Sequence, residues 1–448
     1  MSRLQIMIGF ILVFFVCAGF SLDSPKNNPV KIAVFSDPHL MSSSLNPYGE
    51  AFEAYMSSDR KLLDISPLLL EKVVDEILKT DVDIVIVPGD LTKDGELVSH
   101  VEVAQQLDRL TKAGMAVLVI AGNHDINNPH AVRFDGSVVS PVERVSPEQF
   151  KSIYASCGYD LALSHDESSL SYCYEPLPWL RIIAMDSCVY ADNLATGYPY
   201  TDGQFSEERL KWILNAVQQG REKGQLVLGI MHHGIVTHFS LQQTYFGAYL
   251  LDDWQTVARE FADNGMNLVF TGHFHTQDVS MLQTAAGNVL YDVQTGSLIT
   301  YPNPYRLVEI TPMGEVRIKS FFIETLDGYD DFKSYSQQFV QEGISGLLPE
   351  LLKEQMNKMG FSSAILNSLD RVLNTEYAGQ TLSQHIGTVM ADFYLGDESP
   401  SVDLTTIIAQ LKQNPLNPFL FLSGMAMDAL SKDTPPSDND LTLFLPVE

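Results

Sequence analysis

An α/β fold followed by a smaller helical domain is the architecture this chain predicts, on three observations. From Lys31 onward, apolar β-branched runs alternate with segments of helical periodicity, the pattern of strands lying parallel in one sheet. Five short polar motifs lie along the first two-thirds of the chain, each directly after an apolar run. Beyond Leu326 the β-branched runs stop, and helical periodicity continues to about residue 432.

Taken in order, Ile32–Phe35 is the first expected strand and Ser66–Lys79 the first helix. Ser66 is the expected N-cap, with Leu69, Val73, Ile77 and Leu78 as the apolar stripe. Strand Asp83–Val87, helix Val98–Ala113 and strand Ala116–Ile120 follow. Between Ile126 and Gly203 the pattern is irregular and proline-bearing. It reads as an insertion overhanging the site, with a hairpin of Leu170–Glu175 and Leu180–Ser187. Helices Ser206–Gln219 and Asp252–Asn264 bracket strand Leu226–Ile230, and a shorter run, Asn267–Phe270, comes next. Four more strands are expected at Asp278–Leu282, Val289–Val293, Arg306–Thr311 and Glu315–Ile323. The helical part includes Phe339–Met356 and Leu366–Leu373, and Thr434–Glu448 reads as a flexible tail. The resulting division is a signal segment at 1–21, a linker at 22–29, a catalytic domain at 30–327 and a helical domain at 328–448.

With 448 residues and a net charge of −28, the chain has no electrostatic means of capturing a nucleic-acid polymer. A small phosphate ester is not excluded, because bound cations invert a local field. Near the N-terminus, Arg3 precedes an apolar stretch from Leu4 to Phe20, and Val16-Cys17-Ala18 offers a cleavage site. That reads as a secretory signal peptide, hence export to the periplasm, cell surface or medium. The alternative is an uncleaved segment that associates with or anchors in the membrane. Removing the signal would leave Cys157, Cys173 and Cys188, an odd set that implies no disulfide framework and no zinc-finger spacing.

The chemistry lies in the five motifs: Asp37-Pro38-His39, Gly89-Asp90, Gly122-Asn123-His124-Asp125, His232-His233 and Gly272-His273-Phe274-His275. Ligands gather at the carboxyl ends of strands in such sheets, so the motifs should converge. Histidine, carboxylate and amide donors without cysteine suit two ions of the Mn, Fe or Zn type. Asp37 and His39 can aim at one ion, Asp90 can bridge, Asn123 adds a neutral oxygen, and His232, His273 and His275 complete the set. His233 is the alternative to His232 within the fourth motif. His124 is the candidate general acid, with Asp125 orienting its imidazole. His100 and His238 read as surface or supporting groups. Arg133 could meet a substrate phosphate or be an ordinary surface arginine.

This order of motifs resembles that of the calcineurin-like metallophosphoesterases, across about 240 residues. The resemblance implies a four-layer α-β-β-α sandwich. It also implies one ion on Asp37, His39, Asp90 and His275, and a second on Asp90, Asn123, His232 and His273. The implied reaction is attack of a metal-bridging hydroxide on phosphorus, with His124 protonating the departing alkoxide. The layout is most similar to the branch related to cyclic-nucleotide phosphodiesterases, which favours a phosphodiesterase over a phosphomonoesterase. Gly234 stands where members of that branch often carry proline. A non-catalytic binding scaffold is the rival, and such proteins usually lack a ligand or the acid.

Overall fold

The computed structural model describes residues 28–57, 59–358 and 363–447, so the signal-segment reading lies outside the described residues. Among them, no helix is long and apolar enough to cross a membrane.

Two large sheets form the centre. The first is built from β1 (Val30–Val34), β2 (Ile84–Val87) and β3 (Ala116–Val119), which run parallel and are buried along most of their length. A surface hairpin, β4 (Val132–Asp135) and β5 (Val138–Pro141), stands apart from both sheets. The second sheet contains β6 (Ser164–His165), β7 (Tyr172–Leu177), β8 (Leu180–Ala184), β9 (Leu226–Ile230), β10 (Met266–Thr271), β11 (Asp278–Gln283) and β12 (Val289–Gln294). Its strands alternate between two buried clusters, as a period of two requires. Ile182, Ala184, Leu228, Ile230, Leu268 and Phe270 share a cluster with Ile32, Ile86 and Leu118 of the first sheet. Ile183, Val227 and Val269 face the other way, onto Ile213, Val217, Val257 and Phe261. Those four lie on helices Glu207–Glu222 and Trp254–Asn264. Helices Ser66–Ile77 and Leu97–Lys112 bury Leu70, Val73, Val74 and Leu107 on the first-sheet side. The layers are therefore helix, sheet, sheet, helix.

The first sheet is extended by β13 (Pro304–Ile310), antiparallel to β1, and by β14 (Glu315–Phe322), antiparallel to β13. Residues beyond 331 form helices Phe332–Lys358, Ser363–Leu373, Leu382–Leu395, Val402–Lys412 and Pro418–Leu430, with a two-stranded ladder of β15 (Glu376–Tyr377) and β16 (Gln380–Thr381).

Three expectations need correction. The region 126–203 is not merely an overhang, because β8 pairs in parallel with β9 and belongs to the second sheet. The tail is not loose: β17 (Asp440–Phe444) pairs antiparallel with β14 as the outer strand of the first sheet. Its alternation puts Leu441 and Leu443 inward, and Leu443 joins the main core. Leu443→Ala is therefore expected to cost about 3 kcal/mol of stability in urea unfolding, a cost a free tail would not show. Finally, Ser66 is the first helical residue, not the cap. Its hydroxyl donates to the Leu63 carbonyl at 2.7 Å and accepts from the Met41 N–H at 2.9 Å.

Candidate metal centre

The loops that leave the parallel strands run side by side. After β1 and β2, Asp37 N–H donates to the Gly89 carbonyl at 3.3 Å and His39 N–H to the Asp90 carbonyl at 2.9 Å. After β9 and β10, Gly272 N–H donates to the His232 carbonyl at 3.0 Å. The two pairs meet where His273 N–H donates to the Asp37 carboxylate at 3.1 Å. Asp37, His39, Asp90, His273 and His275 all hold positive φ, between 37° and 72°, a region costly for residues other than glycine. Each loop turns sharply at its strand end, and that turn aims the side chain across the sheet edge.

Close approach explains the glycines of the motifs. A Cβ on Gly122 would lie 2.1 Å from an Asp90 carboxylate oxygen, and one on Gly272 would lie 2.4 Å from Asp37 Oδ2. Neither carboxylate could stay in place beside an alanine.

Seven expected ligands converge. Asp37, His39 and His275 offer ligand atoms within 4.8 Å of one another, and so do Asp90, His232 and His273. Asp90 joins the two sets. Its Oδ2 lies 3.6 Å from His39 Nε2 and 3.3 Å from His232 Nε2. Asn123 Oδ1 is 3.1 Å from His232 Nε2, and His39 Nε2 is 3.2 Å from His275 Nε2. Two imidazole nitrogens facing each other beside carboxylates suit a cation between them. The outer nitrogens are fixed too. His232 Nδ1 donates to the Pro88 carbonyl at 2.8 Å and His273 Nε2 to the Thr201 carbonyl at 3.1 Å, which leaves the other ring nitrogen for the cage.

Electrostatics agree with the donor set. Burial holds His39 and His273 well below the ordinary imidazole value, so both are neutral, the ligating form. Burial would also lower His232, but Asp90 and Asp37 raise it to about 9. The carboxylates demand positive charge at that point, as a proton or as a metal ion. The residues fit a pair of divalent cations.

His233 stays outside the cage, between the Ser187 hydroxyl at 2.7 Å and the Thr201 carbonyl at 2.9 Å. His100 is fully buried on the Asp125 carbonyl at 2.9 Å, and His238 is buried on Asp278 at 2.7 Å, so neither is a surface group. Arg133 lies on the surface hairpin, paired with Asp135 at 2.6 Å. Gly234 N–H donates to the Tyr249 carbonyl at 3.1 Å, a bond that proline could not make.

His124 sits at the rim, its side chain 23% exposed, with its N–H on Asp90 Oδ1 at 2.9 Å. The expectation that Asp125 orients it is wrong. Asp125 points back into the fold and accepts from Gly122 N–H, Leu91 N–H, Thr92 N–H and the Thr92 hydroxyl at 2.8–3.1 Å. It clamps the loops and does not touch the imidazole. The partner of His124 is Asp94, whose Oδ1 lies 2.9 Å from Nδ1, with the Lys93 carbonyl at 2.7 Å. Both neighbours are acceptors, so Nδ1 carries a proton and Nε2 faces the cage. Burial would lower the His124 pKa, yet Asp90 and Asp94 raise it above the ordinary value against the opposing charge of Lys61. Asp94 was legible only as a carboxylate four residues after Asp90. Lys93, fully buried, pairs with Asp94 and lies over the Tyr55 ring at 4.7 Å.

The helical region reaches this loop system. Phe274, between the two histidines, packs on Tyr249 at 4.9 Å, Phe246 at 5.4 Å, and Phe239 and Phe393 at 6.0 Å. Gln277 N–H donates to the Tyr394 carbonyl at 3.1 Å, and the Thr276 hydroxyl to that of Phe393 at 2.5 Å.

The calcineurin-like phosphoesterase family profile matches residues 30–277. A probable cyclic nucleotide phosphodiesterase of Ruthia magnifica subsp. Calyptogena magnifica is 39% identical over 59 residues, 13% of this chain and 24% of that relative, so the match spans about a quarter of its length. Among solved structures, a dimetal phosphatase from Danio rerio is similar with a TM-score of 0.46 and 14% identity, over 65% of this chain and 96% of that one. A purple acid phosphatase from yellow lupin gives 0.38 and 10%, over 68% and 53%. With a family profile spanning more than half of its residues, the chain belongs to the calcineurin-like phosphoesterases.

Proposed function

We propose that this metal-dependent phosphoester hydrolase acts on phosphodiesters in preference to monoesters, outside the cytoplasm. One observation carries the catalytic reading: a single Asp90 oxygen faces both histidine sets while His124 stands at the rim on the other Asp90 oxygen. Bound divalent ions would supply a nucleophile from water at neutral pH and neutralise charge developing on phosphorus oxygens. Asp37, His39, Asp90 and His275 would hold one, and Asp90, Asn123, His232 and His273 the other. The chain's own part is positional. Asp94 keeps His124 protonated at Nδ1, so Nε2 can deliver a proton to the departing oxygen. The preference for diesters is supported by the motif layout and by the printed name of the short bacterial match. Export is supported by the apolar segment Leu4–Phe20.

The test is turnover of bis-p-nitrophenyl phosphate and p-nitrophenyl phosphate with Mn²⁺. Higher kcat/KM on the diester is expected; a monoester preference overturns the diester claim, and no turnover of either favours a binding scaffold. Chelation of the loaded protein should also lower Tm by roughly 5–10 °C, because two buried carboxylates lose their countercharge. An unchanged Tm would mean that no cation occupies the cage.

A further inference from the structure

Asp292 lies in the middle of β12 and is fully buried, which a carboxylate tolerates only when its oxygens are used. Both oxygens of Asp292 are engaged. Oδ2 accepts the N–H groups of Ile235, at 2.6 Å, and of Val236, at 3.0 Å. Oδ1 accepts the Thr271 hydroxyl at 2.5 Å. Ile235 and Val236 lie on the loop that leaves β9 through His232, and Thr271 ends β10 two residues before His273. One carboxylate therefore holds the two segments that carry His232 and His273. The rings of those histidines are 4.5 Å apart, so a small change in the spacing of the segments alters the geometry of two ligands at once.

His238 supplies the countercharge. Its side chain is fully buried, with Nδ1 2.7 Å from Asp278 Oδ1 and Nε2 3.7 Å from Asp292 Oδ2. Nε2 makes no hydrogen bond among the described residues. Ser280 Oγ lies 3.2 Å from Nδ1 and donates to Asp278 Oδ1 at 3.0 Å. Carboxylates on both sides of one ring call for a proton on each nitrogen. Burial would lower the His238 pKa, but Asp278, Asp292 and Asp438 raise it to about 9. A neutral ring would leave Asp292 buried without a compensating charge, and a protonated Asp292 would lose an acceptor for one of its three donors.

We propose that Asp292 and His238 are positioning residues for one of the two cations, the one expected on Asp90, Asn123, His232 and His273. The Asp292 carboxylate fixes the spacing of the His232 and His273 segments, and the His238 imidazolium keeps that carboxylate ionised. This rests on the reading of the cage as a two-cation site. The other cation draws on Asp37 and His39, which follow β1 in the first sheet, so the clamp acts on the two ions unequally.

The experiment is a Co²⁺ titration of the full chain, followed by visible absorption, in two backgrounds that each keep one ion. His275→Ala leaves the ion on Asp90, Asn123, His232 and His273, and His232→Ala leaves the other. Asp292→Asn and His238→Gln should each weaken Co²⁺ binding by roughly 10–100-fold in the first background and by less than about threefold in the second. The two changes combined should cost little more than either alone, because they remove the same carboxylate–imidazolium unit. Thr271→Val is a milder lesion that leaves both charges in place. It should weaken the same ion about tenfold, with Thr271→Ser restoring it. Equal losses in the two backgrounds, or no loss in the first, overturn the proposal and leave the cage standing. A wild-type chain that binds no Co²⁺ sinks the two-cation reading itself, and the proposal with it.

Discussion

Asp90→Ala is expected to empty both halves of the cage at once. Its Oδ2 is the oxygen shared between His39 and His232, and its Oδ1 anchors the His124 backbone. Removing it takes away the bridging carboxylate and the acceptor that positions the acid's loop, so kcat/KM should fall by more than about a thousandfold. Metal content measured alongside should drop from two ions per chain to less than one. His275→Ala makes a useful contrast, since His275 groups with Asp37 and His39. It should lose one ion and keep the other. An Asp90→Ala protein that retained two ions would refute the bridging assignment.

Asp94→Asn carries the second large effect, and the leaving group decides its size. An alkoxide needs the proton that His124 delivers, whereas p-nitrophenolate departs without one. The variant should therefore lose about a hundredfold in kcat on an alkyl phosphodiester and less than about threefold on bis-p-nitrophenyl phosphate. The pH profile gives the sign. Asp94 helps to raise the His124 pKa, and the acid works only below that value. Without the carboxylate the pKa falls, so activity is lost at lower pH and the basic limb moves toward acid. Equal losses on both substrates would make Asp94 a folding residue only. Asp125→Asn should show the opposite pattern. Its amide would set a donor against the N–H groups of Leu91 or Gly122, costing about 2–3 kcal/mol of stability with the basic limb unmoved.

The cage was legible because each ligand lies within a local motif at the end of an apolar run, and parallel strands bring their ends together regardless of sequence distance. Strand Leu226–Ile230 matches its expected bounds residue for residue, with His232 two positions beyond. What failed was adjacency. Asp125 follows His124 in sequence, but neighbouring side chains diverge in a tight turn, and the true partner comes from another loop. The tail strand carried a period-two signal in Leu441 and Leu443, too short to outweigh the prolines and aspartates before it. The β7–β8 hairpin looked like an overhang because its prolines mask a strand whose both faces are covered.

Phe274 acts as a hydrophobic peg between two candidate ligands, seated among aromatic rings that include Phe393 of helix Leu382–Leu395. Thermodynamic reciprocity then applies across a span of sequence where no motif lies. Whatever factor cation loading adds to the seating of that helix, the seating returns to cation affinity. A lesion at Phe393 would accordingly surface as a weakened appetite for metal, with every ligand intact.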